Sequence, residues 1–218
     1  MRPTASSPSP HEETTPNPSS NGARPVPSPQ RIFGVGEMAD RIRSFAWTKT
    51  SLGAIEDWPD VLVWSINTML ESRFPTCIFW GPQMVHFYND AYLPLSAEKH
   101  PGLLGRRAPE AWAEAWHIIG PQFESVFQTG NAVYQENVLV PVLREGTLTD
   151  VYWTYSYSPL RSLDGQVGGS LIVCHDVTGV LVATHQRDAI ASNLQAVLDS
   201  ITDGLLMLDK DWRYTLLQ

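Results

Sequence analysis

Cysteine is scarce in this chain: Cys77 and Cys174 are its only two, each in an apolar, strand-like run. They read as buried reduced thiols, and nothing in the sequence supports a disulfide between them. No apolar run reaches the roughly 18 residues that a membrane span needs. The N-terminus lacks the charged-then-apolar pattern of a secretory signal, so the chain reads as cytoplasmic. Basic clusters are missing too: 15 Lys and Arg stand against 23 Asp and Glu, a net charge of −8. Nucleic acid and anionic membrane surfaces are therefore poor partners. There is no nucleophile-elbow motif, paired-carboxylate motif, metal-spaced cluster or glycine-rich ATP-binding segment, so a self-contained enzyme is the least supported class. What is present is ordinary: 43% hydrophobic and 17% charged residues in a length that holds one domain and a remainder.

Residues 1–30 carry eight Pro and six Ser and almost no large apolar side chain. Such a stretch cannot bury enough surface to offset its ordering entropy, so 1–35 is expected to be a disordered tail. Pro25-Val26-Pro27-Ser28-Pro29 within it reads as a tether before it reads as a ligand of SH3-type domains. Met38, Ile42 and Phe45 recur at helical spacing. Trp58-Pro59 marks a boundary, after which Leu62, Ile66, Met69 and Leu70 form one apolar helix face. Residues 74–80 and 84–88 predict a hairpin around Gly81-Pro82. Asn89 or Asp90 then caps a helix that ends before His100. A further helix carries Trp112, Trp116 and Ile119 and is expected to break at Gly120-Pro121. Another, with Phe123, Val126 and Phe127, closes at Gly130. Three strands follow at 134–143, 148–160 and 169–175. Hairpin-connected strands with helices between them predict an α+β domain: a five-stranded antiparallel sheet with short helices on one face and an N-terminal helical cap. After Asp176-Val177-Thr178 comes a long helix in which Ile190, Leu194, Val197 and Ile201 are spaced 4, 3 and 4. That is coiled-coil spacing, weakened by Arg187 one step earlier.

Several motifs in this order carry a resemblance. Leu52-Gly53 with Trp58-Pro59, Ser72-Arg73-Phe74-Pro75 through Trp80-Gly81-Pro82, Phe87 to Tyr92, Lys99-His100-Pro101, the aromatic strand Tyr152 to Pro159 and the Asp176-x-Thr178 exit resemble the N-terminal PAS module of bacterial sensor histidine kinases, many of them hybrids. The likeness covers roughly residues 36–180. A second, partial one follows: residues 194–214 resemble the entry helix and first two strands of another PAS domain. The resemblance implies a PAS domain over 36–178, a coiled-coil signal helix over 179–203 and the truncated start of a second PAS domain over 204–218. It also implies a homodimer, with downstream kinase domains and a response regulator in a longer two-component phosphorelay protein. Gly179 departs from the helix-favouring residues usual after the Asp-x-Thr exit.

Candidate chemistry is sparse. His185 in Thr184-His185-Gln186-Arg187 lacks the acidic residue and the proline of a phosphoacceptor box such as Ser-His-Glu-x-Arg-x-Pro, and reads as a solvated helix histidine. His117 lies on a helix near the expected pocket, as haem-ligating histidines of PAS proteins do, but a single His without partner motifs predicts no haem. Flavin photochemistry would need a cysteine in a helical Asn-Cys-Arg type motif, and both cysteines are in strands. Cys174 and His175 are adjacent on one strand and point to opposite faces, so they cannot share a metal. No cofactor is evident, and no metal site is expected. The aromatics predict a pocket for a small organic ligand, with Tyr88, Trp116, His117, Phe127, Trp153, Tyr155 and Tyr157 as candidate lining. Set against that is a plain core with a dimer face. Asp176 and Thr178 are expected to cap the outgoing helix and, with Ile190, Leu194, Val197 and Ile201, to relay a signal. The expected function is sensing and relay to a kinase core absent from the chain. The alternatives are a ligand-independent dimerisation scaffold and a sensor for another output such as a cyclic-dinucleotide enzyme.

Overall fold

Arg31 fixes where the fold begins. In the structure, a computed structural model describing residues 30–200 and the backbones of strands 206–208 and 214–216, its guanidinium donates to the carbonyl oxygens of Ile55, Glu56 and Trp58. It also pairs with Asp60 at 2.6 Å. Ile32 beside it is buried. Residues 30–35 therefore belong to the fold, correcting the expected start at Gly36. One arginine and one isoleucine find partners across the chain that local composition does not reveal.

Two helices form the N-terminal layer. α1 (Glu37–Ser44) buries Met38, Ala39 and Ile42, and α2 (Asp60–Glu71) buries Leu62, Val63, Ile66 and Met69. Phe45 falls past the end of α1 and packs on Trp47 instead, with ring centroids 4.4 Å apart. Strands β1 (Thr76–Trp80), β2 (Val85–Tyr88), β3 (Val133–Leu139), β6 (Tyr152–Arg161) and β7 (Val167–Asp176) make one sheet in the order β2-β1-β7-β6-β3. All neighbours are antiparallel, so the fold class is the expected α+β one. Strands β4 (Val142–Arg144) and β5 (Thr147–Thr149) form a separate hairpin. The long strands expected at 134–143 and 148–160 are thus each split, the first at Pro141, which has no N–H to give a ladder.

The helices between β2 and β3 are more broken at one end and less at the other than the sequence suggests. After Asn89 the chain makes a 3₁₀ turn (Asp90–Tyr92), a short α3 (Leu93–Ser96) and a second 3₁₀ turn (Ala97–Lys99), instead of one helix. Ala97 sits at φ 47°, which no α-helix accommodates. Then come α4 (Ala108–Ala111) and α5 (Trp116–Thr129), and α5 runs straight through Gly120-Pro121. Pro121 is the sixth residue of α5, inside the helix, and forfeits the hydrogen bond to the His117 carbonyl. Gly120 lets the Trp116 indole lie against the backbone, where an added Cβ would stand 2.8 Å from it.

Strand alternation sends successive residues to opposite layers. Phe87 meets Trp47 and Trp58 of the N-terminal layer, at 4.9 and 5.6 Å between centroids. Phe79 meets Phe123 of α5 at 5.4 Å on the other side. Beyond β7, α6 (Thr178–Ser200) leaves the domain and buries none of its residues among those described. It is followed by β8 (Leu206–Leu208), paired antiparallel with β9 (Tyr214–Leu216).

Asn89 joins the layers. Its Oδ1 accepts from the backbone N–H groups of Thr76 and Tyr92, both at 3.1 Å, capping the turn that follows. Its Nδ2 donates to the carbonyl oxygens of Met69, Ser72 and Phe74. Asp90, the other expected cap, acts on a different helix: its carboxylate accepts from Glu37 and Met38 N–H at 3.1 and 2.7 Å, closing the first turn of α1. Gly36 makes room for that contact, at φ 115° with Asp90 Oδ2 2.0 Å from where a Cβ would be. Replacing Asn89 by Ala leaves five backbone groups without this partner in a buried site. The expected loss is about 3 kcal/mol of unfolding free energy in urea denaturation, and a loss below about 1 kcal/mol would show the hub to be dispensable.

Candidate functional site

A cavity of about 60 Å³ lies between the sheet and α5. Three strands wall it: Cys77 and Phe79 from β1, Trp153, Tyr155 and Tyr157 from β6, and Ile172 and Cys174 from β7. Opposite stand Tyr92, Trp112, Ala115 and Ile119, and at one end Val140 and Val142. Typical ligand pockets hold roughly 300–1,000 Å³ and a water takes about 30 Å³, so this space suits a very small guest. None of the lining side chains carries a charge.

Its polar atoms are held neutral. Burial pushes the Tyr92 and Tyr157 phenols well above their ordinary range. Tyr155 is raised by burial and partly relieved by the Gln122 amide, which donates to its hydroxyl at 2.5 Å. Burial takes the Cys174 thiol up to about 12, and burial with the neighbouring Cys174 raises Cys77. Both thiols are protonated at neutral pH and therefore poor nucleophiles and poor redox sensors. The Trp153 indole is anchored, donating to the Val140 carbonyl at 3.2 Å.

Behind this wall sits His86, fully buried on β2 with neither ring nitrogen hydrogen-bonded. Phe79, Tyr88, Tyr92 and Trp112 enclose it, with centroids 4.9–6.3 Å away. Burial, with a smaller push from the Lys99 ammonium, lowers its pKa to about 3. The indole N–H of Trp112 also has no partner among the described residues. Lys99 lies over that indole at 4.5 Å, held by the Ala111 carbonyl and the Glu114 carboxylate.

Of the seven residues expected to line a pocket, Trp153, Tyr155 and Tyr157 do so. Tyr88 faces the same layer from the edge strand, but its hydroxyl is engaged by His100 Nδ1 at 2.8 Å, and His100 Nε2 meets Glu37 at 2.8 Å. Trp116 folds along its own helix, His117 is exposed, and Phe127 packs behind Phe123. These four do not line the cavity. Ala115, just before α5, and Ile119, one turn on, face inward, while His117 lies about 200° around the helix from Ala115. The remaining wall residues escaped the sequence reading because Cys77, Phe79, Tyr92, Trp112 and Ile172 look like any core positions.

The expected relay residues cluster at the root of α6, except those farther along it. Asp176 Oδ1 accepts from Thr178 N–H at 3.0 Å, and Oδ2 meets Arg144 at 3.2 Å. Thr178 Oγ1 accepts from Tyr152 N–H at 2.9 Å, beside Val177 N–H to the Tyr152 carbonyl at 2.8 Å. Partial burial opposes ionisation of Asp176, but hydrogen bonds from Thr178 and Arg144 outweigh it and hold the carboxyl below its ordinary value. Ile190, Leu194 and Val197 are exposed along α6, and Ile201 lies outside the described residues. His185 is exposed. Arg144 falls with Glu145-Gly146 in the turn region between the strands expected at 134–143 and 148–160, but its partner Asp176, 32 residues on, is not legible there.

An antiparallel five-stranded sheet that closes a small neutral cavity with short helices, and sends out a helix from its last strand, is the build of a sensory module. The PAS fold family matches residues 72–181, and this chain belongs to it. Similar solved structures include an RNA-binding Light-Oxygen-Voltage receptor (21% identity, TM-score 0.44), aligned over 66% of this chain and 40% of that one. Others are the PAS domain of Bordetella pertussis BvgS (19%, TM-score 0.43, 60% of this chain and 98% of that one) and a sensory box sensor histidine kinase from Vibrio cholerae (15%, TM-score 0.35, 53% and 87%). The chain thus spans well under half of the first of these proteins. No curated protein sequence matches it. Among the described residues no group of three metal-ligating side chains comes together, and no helix is long and apolar enough to cross a membrane.

Keeping His86 neutral ties stability to pH. Its pKa falls from 6.5 unfolded to about 3 folded, so the unfolded chain binds the extra proton. The stability is fully present above pH 6.5 and drains away as pH falls toward 3, by up to about 1.4 kcal/mol per pH unit. His86→Phe should flatten that dependence between pH 6.5 and 4 by a comparable slope in urea titrations. Parallel profiles for the two proteins would show that His86 is not the responsible group.

Proposed function

We propose that this chain is the sensory and signal-relay region of a cytoplasmic two-component sensor histidine kinase. In this reading residues 30–178 are the PAS domain with its helical cap, 179–203 a dimerising signal helix, and 204–218 the start of a second PAS domain. The observation that carries it is the double role of β6. Trp153, Tyr155 and Tyr157 wall the cavity, while Tyr152 at the start of the same strand bonds Thr178 and Val177 at the root of α6. A shift of the cavity wall therefore reaches the helix through one rigid strand. A helix cap is worth about 1 kcal/mol, enough to move a balanced two-state equilibrium several-fold.

Ile190, Leu194 and Val197 supply the other half. They leave an apolar stripe on α6, spaced 4 and 3, that a second copy in coiled-coil register would cover. The paired strands after α6 fit a following PAS domain. ATP-dependent autophosphorylation on histidine, and transfer to a response regulator, would belong to downstream domains. The guest the cavity favours is small, neutral and largely apolar, since its walls carry no charge and its volume is far below the roughly 300–1,000 Å³ of typical ligand pockets.

That volume also favours a second reading, a ligand-independent module that dimerises and relays partner contacts. Native mass spectrometry and an absorbance spectrum of the purified chain separate the two. A stoichiometric bound mass supports the sensor, whereas a clean apo dimer with no thermal shift across small-molecule sets supports the scaffold. In either case Leu194→Glu should convert dimer to monomer in light scattering, and an unchanged dimer would remove the signal-helix role.

A further inference from the structure

We propose that the β4–β5 hairpin is a latch over the cavity, held closed by Glu98, and that Arg144 on it couples cavity closure to the cap of α6. This rests on the relay reading and adds to it the part that moves.

The hairpin is attached at its base and nearly free beyond it. Val140 N–H bonds the Val151 carbonyl, and the Trp153 indole bonds the Val140 carbonyl. Past Pro141 the two strands pair only with each other among the described residues. Val142 is the one buried side chain of the hairpin, and it lies against the cavity, while Leu143 and Leu148 are exposed. So little buried surface makes this an element that opens at low free energy.

Its tip is clamped. Glu145 and Gly146 have φ 49° and 72°, the two left-handed residues of a two-residue hairpin turn. A non-glycine residue there is strained. Both N–H groups converge on the Glu98 carboxylate, at 2.5 and 3.3 Å, as backbone amides of consecutive turn residues do around an anion. Glu98 belongs to the Ala97–Lys99 turn, whose Lys99 is fixed over Trp112 of the cavity wall. From the hairpin's last β4 residue, Arg144 reaches Asp176, the residue that caps Thr178. One small element thus touches the cavity through Val142, its clamp through the turn and the output helix through Arg144.

Amide hydrogen exchange on the full 218-residue chain tests this by NMR. Glu98 is exposed and contacts the turn but nothing in α6, so Glu98→Ala loosens the hairpin without touching the helix directly. Exchange at Glu145 and Gly146, and also at Thr178 and Leu181, should rise about fivefold or more. Arg144→Met should raise exchange at Thr178 and Leu181, and Arg144→Lys should stay near wild type. Faster hairpin exchange with unchanged Thr178 and Leu181 in Glu98→Ala would overturn the coupling. Unchanged hairpin exchange in both Glu98→Ala and Glu98→Gln would overturn the clamp. The relay reading fails separately: Thr178→Val removes the bond from Tyr152 at the root of α6 and leaves the Arg144–Asp176 pair in place, and unaltered kinase output in a longer protein carrying it would count against that reading alone.

Discussion

The buried amide of Asn89 is where the layers of this domain meet, and the rest of the architecture follows from how completely it is satisfied. Its two donor hydrogens serve three carbonyl oxygens at the end of α2 and the entry to β1, and its oxygen serves β1 and the turn after β2. An amide is suited to this because it donates and accepts from one rigid plane. A carboxylate could not donate, and a hydroxyl could not reach both sides. With Asn89 in place, β1 and β2 are held in register, Cys77 and Phe79 face α5, and Tyr92 is set as a cavity wall on the turn that Asn89 caps. Asp90, one residue on, uses its carboxylate to fasten α1 to the same corner.

Inside that frame charge is kept out of the cavity and placed at the joints between elements. Phenols, thiols and a histidine are all driven toward their neutral forms by burial. Ion pairs and carboxylate contacts lie where elements meet: Arg31 with Asp60 at the entrance to α2, Glu98 at the hairpin turn, and Arg144 with Asp176 at the root of α6. An uncharged interior offers shape and dispersion contacts and no ion pair, while the charged contacts between elements are directional joints.

Much of this was legible in the sequence, for reasons that can be named. The alternation of β6 is unambiguous because Trp153, Tyr155 and Tyr157 alternate with Thr154, Ser156 and Ser158, and the same pattern appears in burial. The Pro59 boundary and the stripe Leu62, Ile66, Met69 define α2, because helical period and proline placement agree. What failed did so where local rules met tertiary context. Gly120-Pro121 looks like a helix break, yet α5 continues through it at the cost of one hydrogen bond, and the glycine admits an indole. Trp112 and Trp116 look like one helix face, yet α4 ends at Ala111 and α5 begins at Trp116, so only Trp112 reaches the cavity while Trp116 folds onto Gly120. Asp90 looks like a cap for the helix after it, and only the fold brings the N-terminus of α1, 52 residues earlier, within reach of its carboxylate. Glu98 could not be foreseen, since its partners are backbone amides of a turn far along the chain.

The energies of these joints divide the molecule into a rigid part and an adjustable part. Asn89 is buried and fully bonded, so disturbing it costs several kcal/mol and no ordinary ligand would spend that much on it. The Arg144–Asp176 pair is partly exposed, with side-chain exposures of 33% and 25%, and such pairs are worth at most about 1 kcal/mol. The cap on Thr178 is of similar size. A guest of a few atoms has only a few kcal/mol of binding energy to distribute. It could not rearrange the Asn89 corner, but it could tip two joints that are each worth about one. The strength of the first and the weakness of the second divide the domain into a fixed frame at Asn89 and a root of α6 held by joints of about 1 kcal/mol each.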